Sequence, residues 1–270
     1  MNQFKLYKNT DWHHQLQSKL EDSGIECHFF LEHHFKLLSL GKSEIVIHLA
    51  DIKNPFQPAE FLQLQEKYDD SEIKLIHLWE DIWRTRPLQV LARIKSLLGL
   101  NIRIHGRKTK VNKIARPVAN QFIDENHLQG SVNSRHKLGL FEGEQLVAVA
   151  TFSALRRMNH TENYKSAELI RFAVKAGYTV TGGLSKLIKH FYSLQKPNDL
   201  MTYADRDWSG GEAYLTLGFT LTGILAPQQF LLDENLNRYL KKDQQLQEIH
   251  PMAFNTGSLK FILSFYNDRL

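Results

Sequence analysis

The stretch from Thr202 to Phe219 constrains the fold more than any other part of the chain. The residues from Leu200 to Ala204 are mostly apolar and predict a strand, which runs directly into an acidic turn that begins at Asp205. Ser209–Gly211 has turn composition, and the helix expected after it ends at Gly218, which readily forms a left-handed cap. This order predicts an α/β protein, and we expect its chemistry at this strand end.

Composition limits the classes of protein that the chain can form. Its 270 residues suffice for two domains, and 42% hydrophobic with 23% charged residues predict a folded chain rather than a disordered one. The single Cys27 excludes an intramolecular disulfide and a cysteine-cluster metal site, so we expect a reducing, cytoplasmic location. The chain start lacks an apolar signal core and no run is long enough to span a membrane, so no membrane partner is expected. A net charge of +5 favours a polyanionic partner.

The first half of the sequence predicts a small α/β unit. Glu44–Ala50 and Ile73–Trp79 are the two clearest strands, and Asn54–Ala59 is a turn that can open a helix between them. After the second strand, Leu88–Leu98 has helical spacing and ends at Gly99. Two strands joined by a helix indicate a parallel βαβ core.

The segment Lys74–Trp83, followed by a helix and by Gly106–Lys110, is similar to the end of the nuclease half of phage and mobile-element proteins. In those proteins a patch-repair-like (PD-(D/E)xK) endonuclease domain precedes a second domain, and the resemblance implies carboxylates and a lysine that hold a divalent metal. Asp51 and Lys53 follow a strand at a suitable place, but the Asn-Gly and Trp-His elements of that family are absent. We therefore predict a degenerate nuclease-like α/β domain with a basic linker over residues 1–112.

The densest positive run of the sequence lies between the two halves. Ile102, Ile104 and Val111 are interspersed in it and predict an edge strand with one buried face. The basic side chains can neutralise phosphates without reading sequence, or they can form a solvated strand and loop between two domains. The candidate nucleic-acid-binding residues of this run are Arg103, Arg107, Lys108, Lys110 and Lys113.

The second half has a more regular pattern. The predicted elements before the opening stretch are the helix Val118–Asn126, the hairpin strands Lys137–Phe141 and Gln145–Phe152, the strand Glu168–Val174 and the helix Leu184–Leu194. The full order of helix, hairpin, strand, helix, strand, helix and strand resembles the GNAT superfamily of N-acyltransferases. This resemblance implies a GNAT-like mixed-sheet domain with a C-terminal extension over residues 113–270, and an α/β (α+β) class for the whole chain.

Four motifs of this region resemble the Mom group of phage DNA-modification proteins: Glu168–Arg171, Gly182–Ser185, Tyr203–Asp205 and Tyr214–Phe219. They resemble still more the second domain of the phage nuclease fusions, whose closing segment Asn255–Leu263 also matches. The resemblance implies that an amine, on or beside nucleic acid, attacks an acyl-CoA-type donor.

The pyrophosphate of an acyl-CoA is expected at a helix N-terminus with small residues, because backbone amides can approach it there. The loop that matches this place departs from the superfamily's usual Arg/Gln-x-x-Gly-x-Gly/Ala spacing. A helix capped by Ser185 or Thr181, with glycines for tight packing, is the alternative. The candidate cofactor-binding residues are Thr181, Gly182, Gly183, Leu184 and Ser185.

The predicted catalytic residues are Asp205, Tyr214 and His127. The resemblance places Tyr214 where a phenol protonates a departing thiolate, and a core tyrosine with a satisfied hydroxyl is the alternative. Asp205 can orient or deprotonate the acceptor amine, share iron with His127 as proposed for Mom-type proteins, or bond to backbone. Trp208, expected to be exposed in a polar loop, is a candidate to stack on a base.

The leading functional prediction is GNAT-like N-acyl transfer to an amine on or beside nucleic acid. Two alternatives stay open. One is a non-catalytic nucleic-acid-binding protein of a phage or mobile element, and the other is a residual endonuclease.

Overall fold

A computed structural model of the protein describes residues 11–158, 161, 163–241 and 251–265. In chain order the elements are α1 (Trp12–Glu21), β1 (Cys27–Glu32), β2 (Phe35–Leu40), β3 (Ile45–Ala50), α2 (Pro58–Asp69), β4 (Lys74–Trp79), α3 (Glu80–Thr85), α4 (Pro87–Leu97), β5 (Ile102–His105), a 3-10 turn (Gly106–Lys108), β6 (Lys110–Lys113), α5 (Arg116–Asn126), β7 (His136–Glu142), β8 (Gln145–Phe152), β9 (Arg156–Arg157), β10 (Lys165–Val174), β11 (Tyr178–Thr181), α6 (Gly183–Gln195), β12 (Asp199–Asp205), α7 (Glu212–Thr216), β13 (Thr220–Leu225), β14 (Gln229–Leu232), β15 (Arg238–Leu240), β16 (Met252–Phe254) and β17 (Ser258–Ser264). None of the helices in these ranges has the length and apolar character needed to cross a membrane.

The chain divides into two compact units that alternate along the sequence. The first unit contains Met1–Pro87, Asp205–Gly210 and Ile224–Ser258, and the second contains Leu88–Ala204, Gly211–Gly223 and Leu259–Leu270. This division differs from the predicted one at residues 112 and 113. The basic segment after α4 groups with the second unit, and most of the predicted C-terminal extension groups with the first.

The first unit is built on a four-stranded sheet of order β1-β2-β3-β4. β3 and β4 are parallel and α2 connects them, which confirms the predicted βαβ core. α2 begins at Pro58, where Gln57 and Glu60 form a capping box that satisfies backbone groups at the helix start. β1 and β2 form an antiparallel hairpin that the sequence analysis did not predict. The core of this unit includes Phe61, Leu37 and Trp79.

A second, three-stranded sheet of order β15-β14-β16 belongs to the same unit. Its buried Leu232 and Phe254 lie in one hydrophobic cluster with Phe61 and Trp79. Residues far apart in sequence therefore complete this core, which explains why Ile224–Ser258 groups with the first unit.

The second unit contains an eight-stranded mixed sheet of order β13-β17-β12-β10-β8-β7-β6, with β9 paired to β10. The predicted hairpin of β7 and β8 is confirmed. α6 contributes Leu187 and Phe191 to the core, and the ring of Phe191 stacks on that of Phe152 at a centroid distance of 4.1 Å. The mixed α/β architecture expected from the sequence is thus observed.

The sheet of the second unit opens between two neighbouring parallel strands. β10 and β12 pair only over Ser166–Glu168 and Asp199–Met201, although both strands continue beyond this point. The pairing of β10 with β8 also shifts register between Leu169 and Arg171, which marks a bulge. Pairing that stops at a bulge leaves the carboxyl ends of β10 and β12 available to surround other groups.

Candidate functional site

Two hydroxyl groups lie where the pairing of β10 and β12 stops. The buried Thr202 donates its hydroxyl to the carbonyl oxygen of Leu169 at 3.0 Å, and it also hydrogen-bonds Tyr214. Tyr214 lies on α7, and its ring packs at 5.5 Å from the rings of Phe219 and Phe261. The phenol is therefore held at the opening of the sheet by both packing and a hydrogen bond.

The short helix that carries Tyr214 has its position fixed by a glycine. Gly211 precedes α7 with φ of 83°, and a Cβ added there would lie 2.1 Å from Cζ of Phe261. No side chain larger than hydrogen fits at this position without moving the aromatic ring. Gly218 has φ of 86° at the other end, as the sequence predicted for a left-handed cap.

Burial raises the pKa of the Tyr214 phenol above its ordinary value, although the hydrogen bond with Thr202 and the charges of Arg93 and Arg171 act in the opposite direction. Tyr214 therefore holds its proton at neutral pH. The sequence analysis did not identify Arg93, which lies on α4 and interacts electrostatically with Glu212 and Tyr214. Its only sequence signal is an arginine within an otherwise amphipathic helix, and such residues are usually at the surface.

Arg171 links the bulge on β10 to the turn that contains His127. Its Nε donates to the carbonyl oxygen of Gly130 at 3.0 Å, and its Nη1 donates to that of Ile170 at 2.9 Å. Within the turn, Gln129 N donates to Nδ1 of His127 at 3.1 Å, so the ring proton of the neutral histidine is on Nε2. The structure thus connects the predicted His127 with the opening through Arg171.

The predicted cofactor loop lies at the start of α6. β11 ends at Thr181, Gly182 adopts φ of 74°, and no side chain caps the helix N-terminus. The cap that the alternative assigned to Ser185 or Thr181 is not observed, whereas its other half, glycines for tight packing, agrees with the structure. Gly183 has a packing reason to be glycine, because an added Cβ would lie 2.8 Å from Cγ1 of Val180.

The basic segment and this loop are neighbours in the second unit, which the sequence did not predict. β5 pairs in parallel with β11 and aligns His105 with Thr181. A Cβ added to Gly106 would lie 2.9 Å from the carbonyl oxygen of Thr181, so the backbones approach closely. Lys186 holds the arrangement by donating to the carbonyl oxygens of Gly106, at 3.0 Å, and of Thr109.

The candidate nucleic-acid-binding residues differ in accessibility. Ile102 is exposed, so the predicted buried face of this segment is limited to Ile104 and the half-buried Val111. Trp208 is only 8% exposed, and it belongs to the first unit. The expected exposed tryptophan is therefore corrected, because its ring is buried within the protein. The exposed members of the set are Arg103, Arg107, Lys108, Lys110 and Lys113.

Asp205 begins the polar loop that groups with the first unit, whereas Tyr214 and His127 belong to the second. Its Oδ1 accepts the amide of Asp207 at 3.1 Å, and its carbonyl oxygen accepts the amides of Trp208 and Ser209. The predicted convergence of Asp205 with the phenol stays a prediction. The backbone bonds agree with the alternative in which this residue shapes its loop.

The neighbouring Asp207 is fully buried, which the sequence analysis did not anticipate. Its Oδ1 accepts both the amide and the hydroxyl of Thr256 at 2.8 Å. Burial, together with the charge of Asp205, raises the pKa of Asp207 to about 8 despite these hydrogen bonds and the charge of Arg238. Asp207 is therefore mostly protonated at neutral pH.

The described residues contain no group of three or more histidine, cysteine, aspartate or glutamate side chains that is arranged to hold a metal. Iron shared by His127 and Asp205 stays a prediction. In the first unit, Asp51 accepts hydrogen bonds from Trp12 Nε1 at 2.8 Å and from Lys36 Nζ at 2.6 Å, and His13 Nε2 lies 3.0 Å away.

Comparison with known proteins gives fold neighbours only. No family model matches the chain, and no curated protein matches it. Similar solved structures include the ribosomal-protein-S18-alanine N-acetyltransferase from Escherichia coli, at 13% identity and a TM-score of 0.38, covering 60% of this chain and 98% of that one. YncA from Salmonella typhimurium, solved with its cofactor acetyl-CoA, has 12% identity and a TM-score of 0.37, covering 60% and 97%. A GNAT family acetyltransferase from Bacillus cereus has 12% identity and a TM-score of 0.32, covering 58% and 96%. At these scores the likeness carries no weight for substrate or mechanism.

Proposed function

We propose that the second unit is a GNAT-like N-acyltransferase domain that transfers an acyl group from an acyl-CoA to an amine. The observation that supports it best is the phenol of Tyr214 against Thr202, at the point where β10 and β12 separate. A protonated hydroxyl at the opening of a mixed sheet can deliver a proton to a group bound between the strands.

The residues around α6 fit the anionic part of such a cofactor. The first amides of the helix, at Gly183, Leu184 and Ser185, have no partner within an α-helix, and no side chain caps them. Arg107 and Lys108 lie on the 3-10 turn that begins at Gly106, and Gly106 is packed against this loop. Helix amides and nearby cations would hold pyrophosphate oxygens. When bound, an acyl-CoA supplies a thioester carbonyl that an amine can attack.

The chain's own side chains then have distinct roles. Tyr214 holds a proton on its hydroxyl and can donate it to a departing sulfur, with Arg93 and Arg171 favouring the phenolate that remains. Nδ1 of His127 accepts a backbone amide, and His127 stays our candidate for contacting the acceptor. Asp205 stays our candidate for orienting or deprotonating the acceptor amine.

Titration calorimetry and a paired substitution test this proposal. We expect acetyl-CoA to bind the wild-type protein, and Tyr214→Phe to retain that binding while losing acyl transfer to an amine by about 10²–10⁴-fold. Tyr203→Phe is the matched control, because Tyr203 is an exposed tyrosine on β12, and it should keep wild-type activity. An absence of acetyl-CoA binding at millimolar concentration would refute the proposal.

We further propose that the acceptor is an amine on or beside nucleic acid, as in Mom-type proteins, and that the protein acts in the cytoplasm. The exposed basic residues of the second unit support this, and they equally favour a non-catalytic nucleic-acid-binding role. Mass spectrometry of nucleosides from cells that express the wild type or Tyr214→Phe separates the two functions. A mass-shifted base present only with the wild type supports modification, and unmodified DNA in both favours binding alone.

For the first unit we propose a nuclease-like domain that no longer cleaves. Both carboxylate oxygens of Asp51 are engaged by protein donors, and these hydrogen bonds lower its pKa although burial raises it. A lysine and a histidine thus occupy the surroundings that a divalent metal would need. Cleavage of plasmid DNA with Mg²⁺ or Mn²⁺ that is lost in Asp51→Asn would contradict this proposal.

A further inference from the structure

Basic residues from two separate stretches meet at one edge of the second unit's sheet. β6 is the edge strand of that sheet and pairs with β7. The amide of Ile114 donates to the carbonyl oxygen of Lys137 at 3.1 Å, which brings the residues around Ile114 beside those that begin β7. We name this group the β6–β7 basic patch, and its members are Lys113, Arg116, Arg135, His136 and Lys137.

The members of the patch lie within electrostatic reach of one another. Burial lowers the pKa of Lys137, and the charges of Arg116 and Arg135 lower it further. Burial and the charges of Arg135, Lys113 and Lys137 likewise lower the pKa of His136. Like charges held this close repel one another, so the patch has a cost that an anionic ligand would relieve.

Nothing in the described part of the chain neutralises these charges. None of the observed ion pairs with a carboxylate involves a member of the patch. Lys137 donates its Nζ to the carbonyl oxygen of Ser134 at 2.5 Å instead. Arg116 is the first residue of α5, whose N-terminus has no side-chain cap and no acidic residue in its first turn. The dipole of this eleven-residue helix therefore adds positive potential.

We propose that the β6–β7 basic patch binds the phosphate backbone of duplex nucleic acid. Single strands are usually bound by stacking bases on aromatic rings, and the exposed phenylalanine and tyrosine side chains of the described chain, Phe29, Tyr203 and Tyr239, are not in the patch. Contacts from lysine and arginine to phosphates are independent of sequence, so we expect binding without base preference. The inference deepens the nucleic-acid part of the proposed function, and it does not depend on acyl transfer.

Fluorescence anisotropy with a labelled duplex over a salt series tests the patch. The variant Lys113→Gln, Arg116→Gln, Arg135→Gln removes three exposed charges and should bind at least about tenfold more weakly at 0.1 M salt, with a log–log salt slope smaller by about two to three. A control variant that carries Gln at Lys19, Lys42 and Lys189 has the same change in net charge and should retain the wild-type slope.

A conservative variant guards against misfolding. Lys113→Arg, Arg116→Lys, Arg135→Lys preserves the charges and should bind like the wild type. The proposal is overturned if the Gln variant of the patch keeps the wild-type slope, if the control variant loses as much affinity, or if a single strand of equal length binds more tightly than the duplex. Acetyl-CoA titration of the same samples is read separately. Duplex binding without acetyl-CoA binding would refute the proposed acyltransferase function and would still support the β6–β7 basic patch as a nucleic-acid-binding site.

Discussion

Two buried histidines should make the first unit sensitive to acid. His48 on β3 and His77 on β4 are fully buried, and their Nδ1 atoms lie 3.0 Å apart. One ring must donate and the other accept, so at least the accepting imidazole must be neutral. The ring of Phe61 stacks on His77 at 4.7 Å and meets His48 edge-on at 4.5 Å, which excludes water from the pair.

The direction of the effect follows from the folded-state pKa values. Burial lowers the pKa of His48 to about 3, against the opposing charge of Asp51. Burial and the charges of His48 and Arg206 hold the pKa of His77 well below its ordinary value. The unfolded chain therefore binds protons below pH about 6.5 that the folded unit does not bind. The contribution of the pair to stability is complete above that pH and is lost as the pH falls toward the folded-state values.

Each histidine costs about 1.4 kcal/mol per pH unit within this window. Between pH 6.5 and pH 5 the two together remove about 4 kcal/mol, which is a large share of the stability of an ordinary domain. Asp207 acts in the opposite sense, because its raised pKa makes folding less favourable as the pH rises toward 8. The pH dependence of the wild-type stability therefore sums the contributions of the histidine pair and of Asp207. The contribution of the pair is obtained by comparing the wild type with a variant that lacks both histidines.

Urea unfolding followed by tryptophan fluorescence reports this unit alone, since all four tryptophans belong to it: Trp12, Trp79, Trp83 and Trp208. The variant His48→Leu, His77→Leu removes both ionisable groups together and leaves neither ring nitrogen unpaired. The difference in free energy of unfolding between this variant and the wild type should be about 4 kcal/mol more in favour of the variant at pH 5 than at pH 7. The control His14→Gln, His28→Gln changes exposed histidines of the same unit and should follow the wild type. Parallel pH profiles for the wild type and the leucine variant would refute the reasoning.

Two further substitutions have outcomes fixed by the same structure. Asp207→Asn keeps an oxygen that can accept from Thr256 but cannot ionise, so the urea midpoint of this variant should rise relative to the wild type between pH 6 and pH 9. A constant difference between the two proteins over that range would show that Asp207 is a carboxylate in the folded protein. Gly211→Ala should lower stability by about 2–4 kcal/mol, because a left-handed φ and a clash with Phe261 combine. Gly143→Ala is the control, with a positive φ in open space, and it should cost only about 1 kcal/mol in thermal unfolding followed by circular dichroism.

Local patterns predicted most of the elements of the fold. The strands Ile45–Ala50 and Lys74–Trp79 are mostly apolar, with one histidine in each. The turn after Glu142 is short enough to join two strands as a hairpin. The hairpin of β1 and β2 was missed because its turn contains His33 at φ of 54° rather than glycine or asparagine. The apolar residues of β1 also follow one another without alternation, and none of its side chains is fully buried.

Pairings between distant segments could not be predicted from those patterns. β5 and β11 pair although more than seventy residues separate them, and only this pairing places Gly106 against Thr181. The sequence therefore presented a basic run and a glycine loop as two candidate sites, whereas the second unit makes them adjacent. Burial of Asp207 and Trp208 has the same origin, since partners such as Thr256 come from a distant segment.

The stretch from Thr202 to Phe219 serves two different purposes, and this separates chemistry from stability. The amide of Arg206 donates to the carbonyl oxygen of Gly257, and the carboxyl of Asp207 holds Thr256, so the acidic turn has a structural explanation within the first unit. Tyr214 instead lies at the opening of the second unit's sheet. If this division is right, Tyr214→Phe should abolish acyl transfer with little change in unfolding, whereas Asp207→Asn should shift unfolding with pH and leave transfer intact. A variant of Asp207 that folds normally yet loses transfer would show that the turn and the phenol act together after all.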